Sequence, residues 1–212
     1  IFSRARIERM AGHFKNLVRQ IISQPNHSLQ NLAIMDRDEY VQLVHGFNQT
    51  LADYPRNKTI AQVFREQVLK TPHDRACYYE GHAQTYAELD NTSEQLAQHL
   101  HSHFNIGPGS IVALLCKRSL RIPQIIFAVL KTGAAYLPLD PDYPDERIRE
   151  ILESAATRLL LTDDQSMEGH HLNSFTVLNL DQLDTSTSSA RSPISFPVPD
   201  ASDPAYIIYT SG

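Results

Sequence analysis

The sequence predicts an α/β fold in which a largely parallel sheet is covered by helices on both faces. Short, predominantly apolar runs recur at residues 111–115 ("IVALL"), 134–140 ("AAYLPLD") and 158–162 ("RLLLT"), and helical patterns at 120–131 and 144–155 separate them. Parallel strands are buried on both faces, so they lack the alternation of half-exposed strands. Apolar runs that alternate with helices in this way indicate βαβ units.

Local signals define the elements that precede this pattern. Thr59 with Gln62, and Thr85 with Glu88, have the spacing of capping boxes, which predicts helices over 60–70 and from 86 to about 103. The run between them is predicted to form a hairpin that turns at Glu80-Gly81. Past residue 162, residues 175–180 and 205–209 are further strand candidates, and the Ser- and Pro-rich stretch between them is predicted to be a surface loop.

The first 46 residues have a different rhythm. Apolar positions on one helical face predict an amphipathic helix over residues 7–22. A second helix is predicted from the N-cap Asp36, with Glu39 three residues on, to Gly46. Two such helices cannot bury their apolar stripes on each other alone, so we expect them to end a larger domain. Residues 47–58, which are polar and aperiodic, are predicted to be a linker.

Composition excludes several classes of function. Of the 212 residues, 42% are hydrophobic, which suffices for a core, and the net charge of -5 is dispersed, so neither a nucleic-acid nor an acidic-membrane partner is expected. The apolar runs are too short to span a bilayer. Cys77 and Cys116 lie apart within or beside apolar runs, which predicts neither a disulfide nor a zinc site. This cysteine usage fits a reducing compartment, so the chain is expected to be cytoplasmic.

Most familiar catalytic patterns are missing. There is no Walker phosphate loop and no Gly-x-Ser-x-Gly elbow. His99 and His103 share a helical face and make a two-ligand metal edge conceivable, but an ordinary polar helix end is the favoured interpretation. No catalytic residue and no metal ligand is therefore assigned within the chain.

The stretch "YIIYTSG" at residues 206–212 is the strongest candidate site. Hydroxyl side chains and a glycine after a buried strand let backbone N–H groups converge on a polyphosphate, and parallel sheets bind ligands at the carboxyl ends of their strands. A simple β-turn uses the same residue types, and on this pattern alone the turn is the favoured interpretation. Thr210, Ser211 and Gly212 are the residues that a phosphate site here would use.

Three segments together identify a family. "QTYAELD" at 84–90, "LKTGAAYLPLDPDYP" at 130–144 and "AYIIYTSG" at 205–212 resemble, in order and spacing, the first three core motifs of adenylation domains in nonribosomal peptide synthetases. "IERMAGHFKNLVRQI" at 7–21 resembles the final helix of a condensation domain. The resemblance implies a condensation tail at 1–46, a linker at 47–58, and at 59–212 the N-terminal part of an AMP-binding adenylation domain of the adenylate-forming superfamily.

The resemblance also implies an activity. Such domains use ATP and Mg²⁺ to convert an amino acid to an aminoacyl adenylate, then pass it to the phosphopantetheine of a neighbouring carrier domain. Only Thr210, Ser211 and Gly212 match the family's phosphate loop, and the family's magnesium ligand, amino-acid pocket and catalytic lysine lie downstream of that loop. The 212-residue chain is therefore expected to be a fragment cut within the loop motif and inactive alone.

Two other hypotheses remain open. A standalone acyl or aryl acid:CoA ligase of the same superfamily has the same fold, but the condensation-like tail argues against it. A non-catalytic interaction module, with the two N-terminal helices docking a partner, is the third. The amino acid activated and the peptide product are not encoded in these residues.

Overall fold

The structure is a computed structural model that describes residues 2–26, 28–157, 159–183, 196 and 199–210. Most of the predicted Ser- and Pro-rich loop, at 184–195 and 197–198, lies outside these residues. The chain divides into two compact units, Ile1–Tyr54 and Pro55–Gly212. None of the helices that the structure describes has the length and apolar character to cross a membrane.

The first unit contains the two predicted helices. Helix α1 spans Arg4–Ser23, and helix α2 spans Arg37–Val41 and continues as a π-helical turn over Gln42–Gly46. Asp36 caps α2 by accepting the N–H of Glu39 at 2.8 Å, as predicted. The Glu39 carboxylate does not complete a capping box, because it contacts His13 Nε2 on α1 at 2.5 Å.

Polar contacts dominate this unit. The Asn16 side-chain amide donates to the carbonyls of Ala33, Ile34 and Met35 at 3.0–3.2 Å. Neither α1 nor α2 contains a buried residue, and Phe14, on the apolar stripe of α1, is 68% exposed. The two helices therefore leave their apolar stripes uncovered by each other, as the sequence pattern predicts.

The second unit carries the predicted α/β pattern. Its elements in chain order are α3 (Ile60–Lys70), β1 (Arg75–Tyr79), β2 (His82–Thr85), α4 (Tyr86–Phe104), β3 (Ile111–Leu115), α5 (Arg121–Lys131), β4 (Ala135–Leu139), α6 (Asp145–Ser154), β5 (Leu159–Thr162), α7 (Asp164–Met167) and β6 (Val177–Asn179).

The predicted starts of α3 and α4 are confirmed in atomic detail. At both helices the threonine N-cap accepts the N3 backbone N–H, and the N3 side chain, Gln62 or Glu88, accepts the N–H of the cap. Strands β1 and β2 form an antiparallel two-stranded sheet. Glu80 and Gly81 both adopt positive φ in its turn, the conformation that a tight two-residue hairpin requires.

Four parallel strands form the main sheet in the order β4-β3-β5-β6, which confirms the predicted parallel α/β architecture. Side chains alternate along the strands, so each face has its own core. Val112 and Leu114 of β3 pack with α4 and α5, whereas Ala113 and Leu115 pack with α6. The chain steps from β3 to β4 in one direction and from β4 to β5 in the other, which places α5 and α6 on opposite faces.

The prediction of a full strand at 205–209 is wrong in extent. A single parallel bridge joins Tyr206 to Tyr136 of β4. Tyr136 donates to the Ala205 carbonyl at 3.1 Å and accepts the Ile207 N–H at 2.9 Å. The next residue of β4 on that side is Pro138, which has no N–H to donate, so the ladder stops after one bridge.

A glycine turn connects α5 to β4, as predicted. Gly133 has a φ of +82°, and a Cβ at this position would lie 3.0 Å from Cγ of Pro108. A side chain would therefore be strained by both its backbone and its neighbour. Gly133 lets the chain turn sharply enough for Ala134 and Ala135 to enter the core.

A buried charge cluster ties α4 to α5. The Lys131 ammonium lies 2.9 Å from Asp90 Oδ1, 2.8 Å from the Asp90 carbonyl and 3.3 Å from Glu94 Oε2. Only 9% of the Lys131 side chain and 12% of the Asp90 side chain are exposed. Arg65 of α3 also contacts the Asp90 carboxylate, but the Arg65 side chain is 58% exposed.

Candidate functional site

The carboxyl edge of the main sheet is where a parallel α/β fold places its ligand site. Cys116 follows β3, Asp140 follows β4, Asp163 follows β5 and Leu180 follows β6. The crevice expected from the topology lies between β3 and β5, because the chain leaves these two strands in opposite directions. The contacts between the ends of β3 and β5 therefore bear on where a ligand can bind.

Hydrogen bonds within the chain join the carboxyl ends of β3 and β5. The Ser166 hydroxyl, on α7, accepts the Lys117 N–H at 2.8 Å, and the Thr162 hydroxyl donates to the Leu115 carbonyl at 2.9 Å. Beside them, Asp181 accepts the Asp164 N–H at 2.9 Å and contacts the Arg121 guanidinium. This polar network uses the groups that a ligand would otherwise meet.

Thr210 follows the segment that lies beside β4. Its bridge, between Tyr206 and Tyr136, is parallel, so the chain runs from there toward the carboxyl end of β4. Thr210 is exposed. The exposed Thr210 side chain thus lies on the part of the chain that runs toward this edge.

Of the three residues predicted to bind phosphate, the structure describes Thr210 alone. Ser211 and Gly212 lie outside the described residues, so their assignment stays a prediction. The Thr210 hydroxyl can both donate and accept a hydrogen bond, which suits an anionic phosphate oxygen.

Both cysteines are unsuited to nucleophilic chemistry. Burial raises the pKa of the Cys116 thiol to about 12, and Asp163 and Asp181 add to this rise. Burial also raises the pKa of the Cys77 thiol. A thiolate is the reactive form of cysteine, so neither residue reaches it near neutral pH.

The two histidines of α4 stack on each other. The rings of His99 and His103 lie 4.2 Å apart, and burial together with His103 lowers the pKa of His99. His103 Nδ1 is 3.2 Å from the His99 carbonyl. Across the described part of the chain, no group of three or more His, Cys, Asp or Glu side chains is arranged to hold a metal ion.

A histidine clamp holds the segment that leaves β4. Nδ1 of His170 lies 2.6 Å from Asp145 Oδ1, and its Nε2 lies 2.9 Å from the Pro141 carbonyl. Both partners are acceptors, so this arrangement favours the form of His170 in which both ring nitrogens carry a proton and donate. The same bonds raise the pKa of His170, while His170, the His171 N–H and Arg149 lower the pKa of Asp145. No local sequence pattern signals this clamp, because its members are 25 and 29 residues apart.

The clamp makes stability depend on pH. A raised histidine pKa stabilises the fold below about pH 6.5 and stops doing so as pH rises through the folded value, whereas a lowered aspartate pKa stabilises it above about pH 4. The pair therefore contributes most between these limits. We expect His170→Asn to lower the free energy of unfolding by about 1–2 kcal/mol more at pH 5.5 than at pH 8.5, measured by urea denaturation.

His171→Asn is the matched control for this prediction. The neighbouring histidine is exposed and joins the clamp through its backbone, with its N–H donated to Asp145 Oδ2 at 2.9 Å and its carbonyl accepting from Arg149. We expect it to show no such pH dependence. Equal losses at the two pH values for His170→Asn would contradict a charged clamp.

Comparisons with known proteins show which family the chain resembles. A family model described as "AMP-binding enzyme" matches residues 64–212. Gramicidin S synthase 2 of Brevibacillus brevis is 37% identical over 215 residues, which cover 100% of this chain and 5% of that protein. Tyrocidine synthase 3 of Brevibacillus parabrevis is 36% identical over 214 residues, covering 100% of this chain and 3% of that protein. The chain thus spans a small part of these synthetases.

Solved structures show the same fold. The N-terminal subdomain of Klebsiella oxytoca NpsA, in complex with 3-hydroxyanthranilyl-AMSN, has a TM-score of 0.64 and 30% identity, covering 73% of this chain and 38% of that one. The nonribosomal peptide synthetase FmoA3, in its AMPPNP-bound form, has a TM-score of 0.69 and 27% identity, covering 99% of this chain and 22% of that one.

Proposed function

The chain belongs to the family of AMP-binding enzymes, and we propose that it forms the N-terminal part of an amino-acid adenylation domain in a nonribosomal peptide synthetase. One observation carries this proposal. The similarity to peptide synthetases extends over the whole chain, including residues 1–63, which precede the AMP-binding match. A synthetase module accounts for both parts.

The proposed reaction joins an amino acid to AMP. The amino-acid carboxylate attacks the α-phosphorus of ATP, the bond to the β-phosphate oxygen breaks, and the products are an aminoacyl adenylate and pyrophosphate. The acyl group is then transferred to the phosphopantetheine thiol of a carrier domain, releasing AMP. Mg²⁺ supplies positive charge to the phosphates when ATP is bound. No residue of this chain is proposed to act as a catalytic acid, base or nucleophile.

Thr210, Ser211 and Gly212 are proposed to begin the loop that holds the ATP phosphates. The exposed Thr210 hydroxyl, on the part of the chain that runs toward the carboxyl edge, supports this role, because a phosphate oxygen there can accept its hydrogen bond. The hydrogen bonds between the ends of β3 and β5 already occupy polar groups there, which also favours the edge beyond β4 for a nucleotide.

We further propose that residues 1–46 are the last helices of a condensation domain, that 47–58 link it to the adenylation domain, and that 59–212 begin the latter. The uncovered apolar stripe of α1 supports a larger body for the first unit. Condensation and carrier domains would then be partners within one cytoplasmic polypeptide.

A second candidate is an aryl acid-activating ligase of the same superfamily. The NpsA subdomain binds 3-hydroxyanthranilyl-AMSN, which carries an aryl acyl group, and its resemblance covers 73% of this chain. The two candidates differ in the acid they accept. Similarity of residues 1–63 to peptide synthetases favours the amino-acid-activating enzyme.

The test is exchange of labelled pyrophosphate into ATP by the complete adenylation domain that contains residues 59–212. We expect exchange that depends on one or a few amino acids and is absent with aryl acids. The 212-residue chain assayed in parallel is expected to remain at the level of the blank. Exchange that requires an aryl acid would select the second candidate instead.

A further inference from the structure

The segment that leads into the proposed phosphate loop has few attachments to the sheet. Its backbone is bonded to β4 at Tyr136 alone, through Ala205 and Ile207, within the part of the chain that the structure describes. Pro138 prevents the next backbone bond. Residues 208–210 are therefore guided by side chains rather than by the sheet ladder.

Side chains alternate along this extended segment. Ile207 and Tyr209 pack against the core on the α6 face of the sheet, whereas Tyr206 and Ile208 are 53% and 59% exposed. Tyr209 directly precedes Thr210. Its ring is thus the last apolar contact before the loop begins.

The Tyr209 hydroxyl adds a polar contact with helix α6. It donates a hydrogen bond to the Ser154 Oγ at 3.0 Å. Ser154 is the last residue of α6, whose Ile148, Ile151 and Leu152 are buried against the sheet. The first residue of α6, Asp145, is held by His170. Helix α6 is thus held on the sheet, and the exposed Ser154 at its end is the partner of Tyr209 in a solvent-exposed hydrogen bond.

We propose that the hydrogen bond between Tyr209 and Ser154 positions Thr210 for ATP. This inference rests on the proposed function. Tyr209 and Ser154 touch no substrate in this role, so they are positioning residues. Fixing the residue before the loop lowers the conformational entropy that ATP binding would otherwise cost.

The test uses Tyr209→Phe and Ser154→Ala in the complete adenylation domain. Phenylalanine keeps the packed ring, and alanine favours the helix end, so neither change disturbs the fold. Pyrophosphate exchange is measured against ATP and against the amino acid. For each variant we expect the KM for ATP to rise about two- to fivefold, with the KM for the amino acid and the melting temperature unchanged.

Two controls separate positioning from a general effect. Tyr206→Phe removes a hydroxyl for which the described residues show no hydrogen bond, so its KM for ATP should equal that of the wild type. The double variant, Tyr209→Phe with Ser154→Ala, should be no worse than either single variant, because both remove the same bond. An unchanged KM for ATP in both single variants, or additive effects in the double variant, would overturn the proposal.

A second readout keeps this test independent of activity. Hydrogen–deuterium exchange of a peptide covering residues 205–210 can be followed in the 212-residue chain. Tyr209→Phe should speed exchange at the Ile207 amide, which is bonded to Tyr136, and Tyr206→Phe should not. If the wild-type domain shows no pyrophosphate exchange, the proposed function fails. Unchanged deuterium uptake in Tyr209→Phe would, independently of that result, refute the role of the Tyr209–Ser154 hydrogen bond.

Discussion

Asp90→Ala is expected to lower the free energy of unfolding of the chain by about 3 kcal/mol. The substitution removes the closest carboxylate from Lys131, whose side chain is 9% exposed. In the variant, the buried Lys131 ammonium is still largely removed from water but no longer has the Asp90 carboxylate as its hydrogen-bond partner. Glu94, whose carboxylate lies 3.3 Å from the Lys131 ammonium, offsets only part of this loss. Its side chain is 34% exposed, so water weakens its attraction to the ammonium. Urea denaturation followed by far-ultraviolet circular dichroism measures the loss.

Arg65→Met is the matched control, since Arg65 contacts the same carboxylate from a side chain that is 58% exposed. Exposed ion pairs contribute little, so we expect a loss below about 1 kcal/mol. Adding Lys131→Met to Asp90→Ala should recover part of the loss, because the double variant leaves no buried cation at this cluster. Equal costs for Asp90→Ala and Arg65→Met would show that burial does not set the energetics of this cluster.

Thr210→Val is expected to lower kcat/KM for ATP about tenfold to a hundredfold in the complete adenylation domain. Valine has the shape of threonine without the hydroxyl that we propose to donate to a phosphate oxygen. Thr210→Ser keeps the hydroxyl and should stay within about threefold of the wild type. Because Thr210 is exposed, neither change should alter the melting temperature.

Two other outcomes would contradict this prediction. If Thr210→Val keeps the kinetics of the wild type while Tyr209→Phe raises the KM for ATP, the loop binds ATP through its backbone rather than through this hydroxyl. If both variants match the wild type, neither the Thr210 hydroxyl nor the Tyr209 hydroxyl contributes to ATP binding.

Local signals in the sequence predicted most of the elements. The capping boxes at Thr59 and Thr85, the hairpin turn at Glu80-Gly81 and the left-handed Gly133 depend on residues that are near neighbours in the chain, so their pattern is visible in the sequence. The apolar runs likewise predicted β3, β4 and β5.

Features that depend on distant residues were not predictable. The strand order arises from pairing between β3 and β5, and the link between Lys131 and Asp90 joins residues 41 positions apart. The strand expected at 205–209 is reduced to one bridge, because its register sets it beside Pro138 of β4. Sequence pattern shows that a run is apolar but not which strand lies beside it.

The candidate site was predictable only where it depends on residues that are near neighbours in the chain. Thr210 follows an apolar run, which is a local pattern, and a parallel sheet places such a residue at its carboxyl edge. Ser154 is 55 residues from Tyr209, and the clamp at His170 is 25 residues from Asp145. Residues that position a loop from other elements leave no periodic signal.

Amino-acid-dependent exchange of labelled pyrophosphate into ATP, measured on the complete adenylation domain with each amino acid in turn, tests the central claim most directly. Membership of the AMP-binding family and similarity to peptide synthetases over the whole chain predict exchange with one or a few amino acids. A domain that exchanges pyrophosphate with aryl acids alone, or with no acid at all, would contradict the assignment to a nonribosomal peptide synthetase.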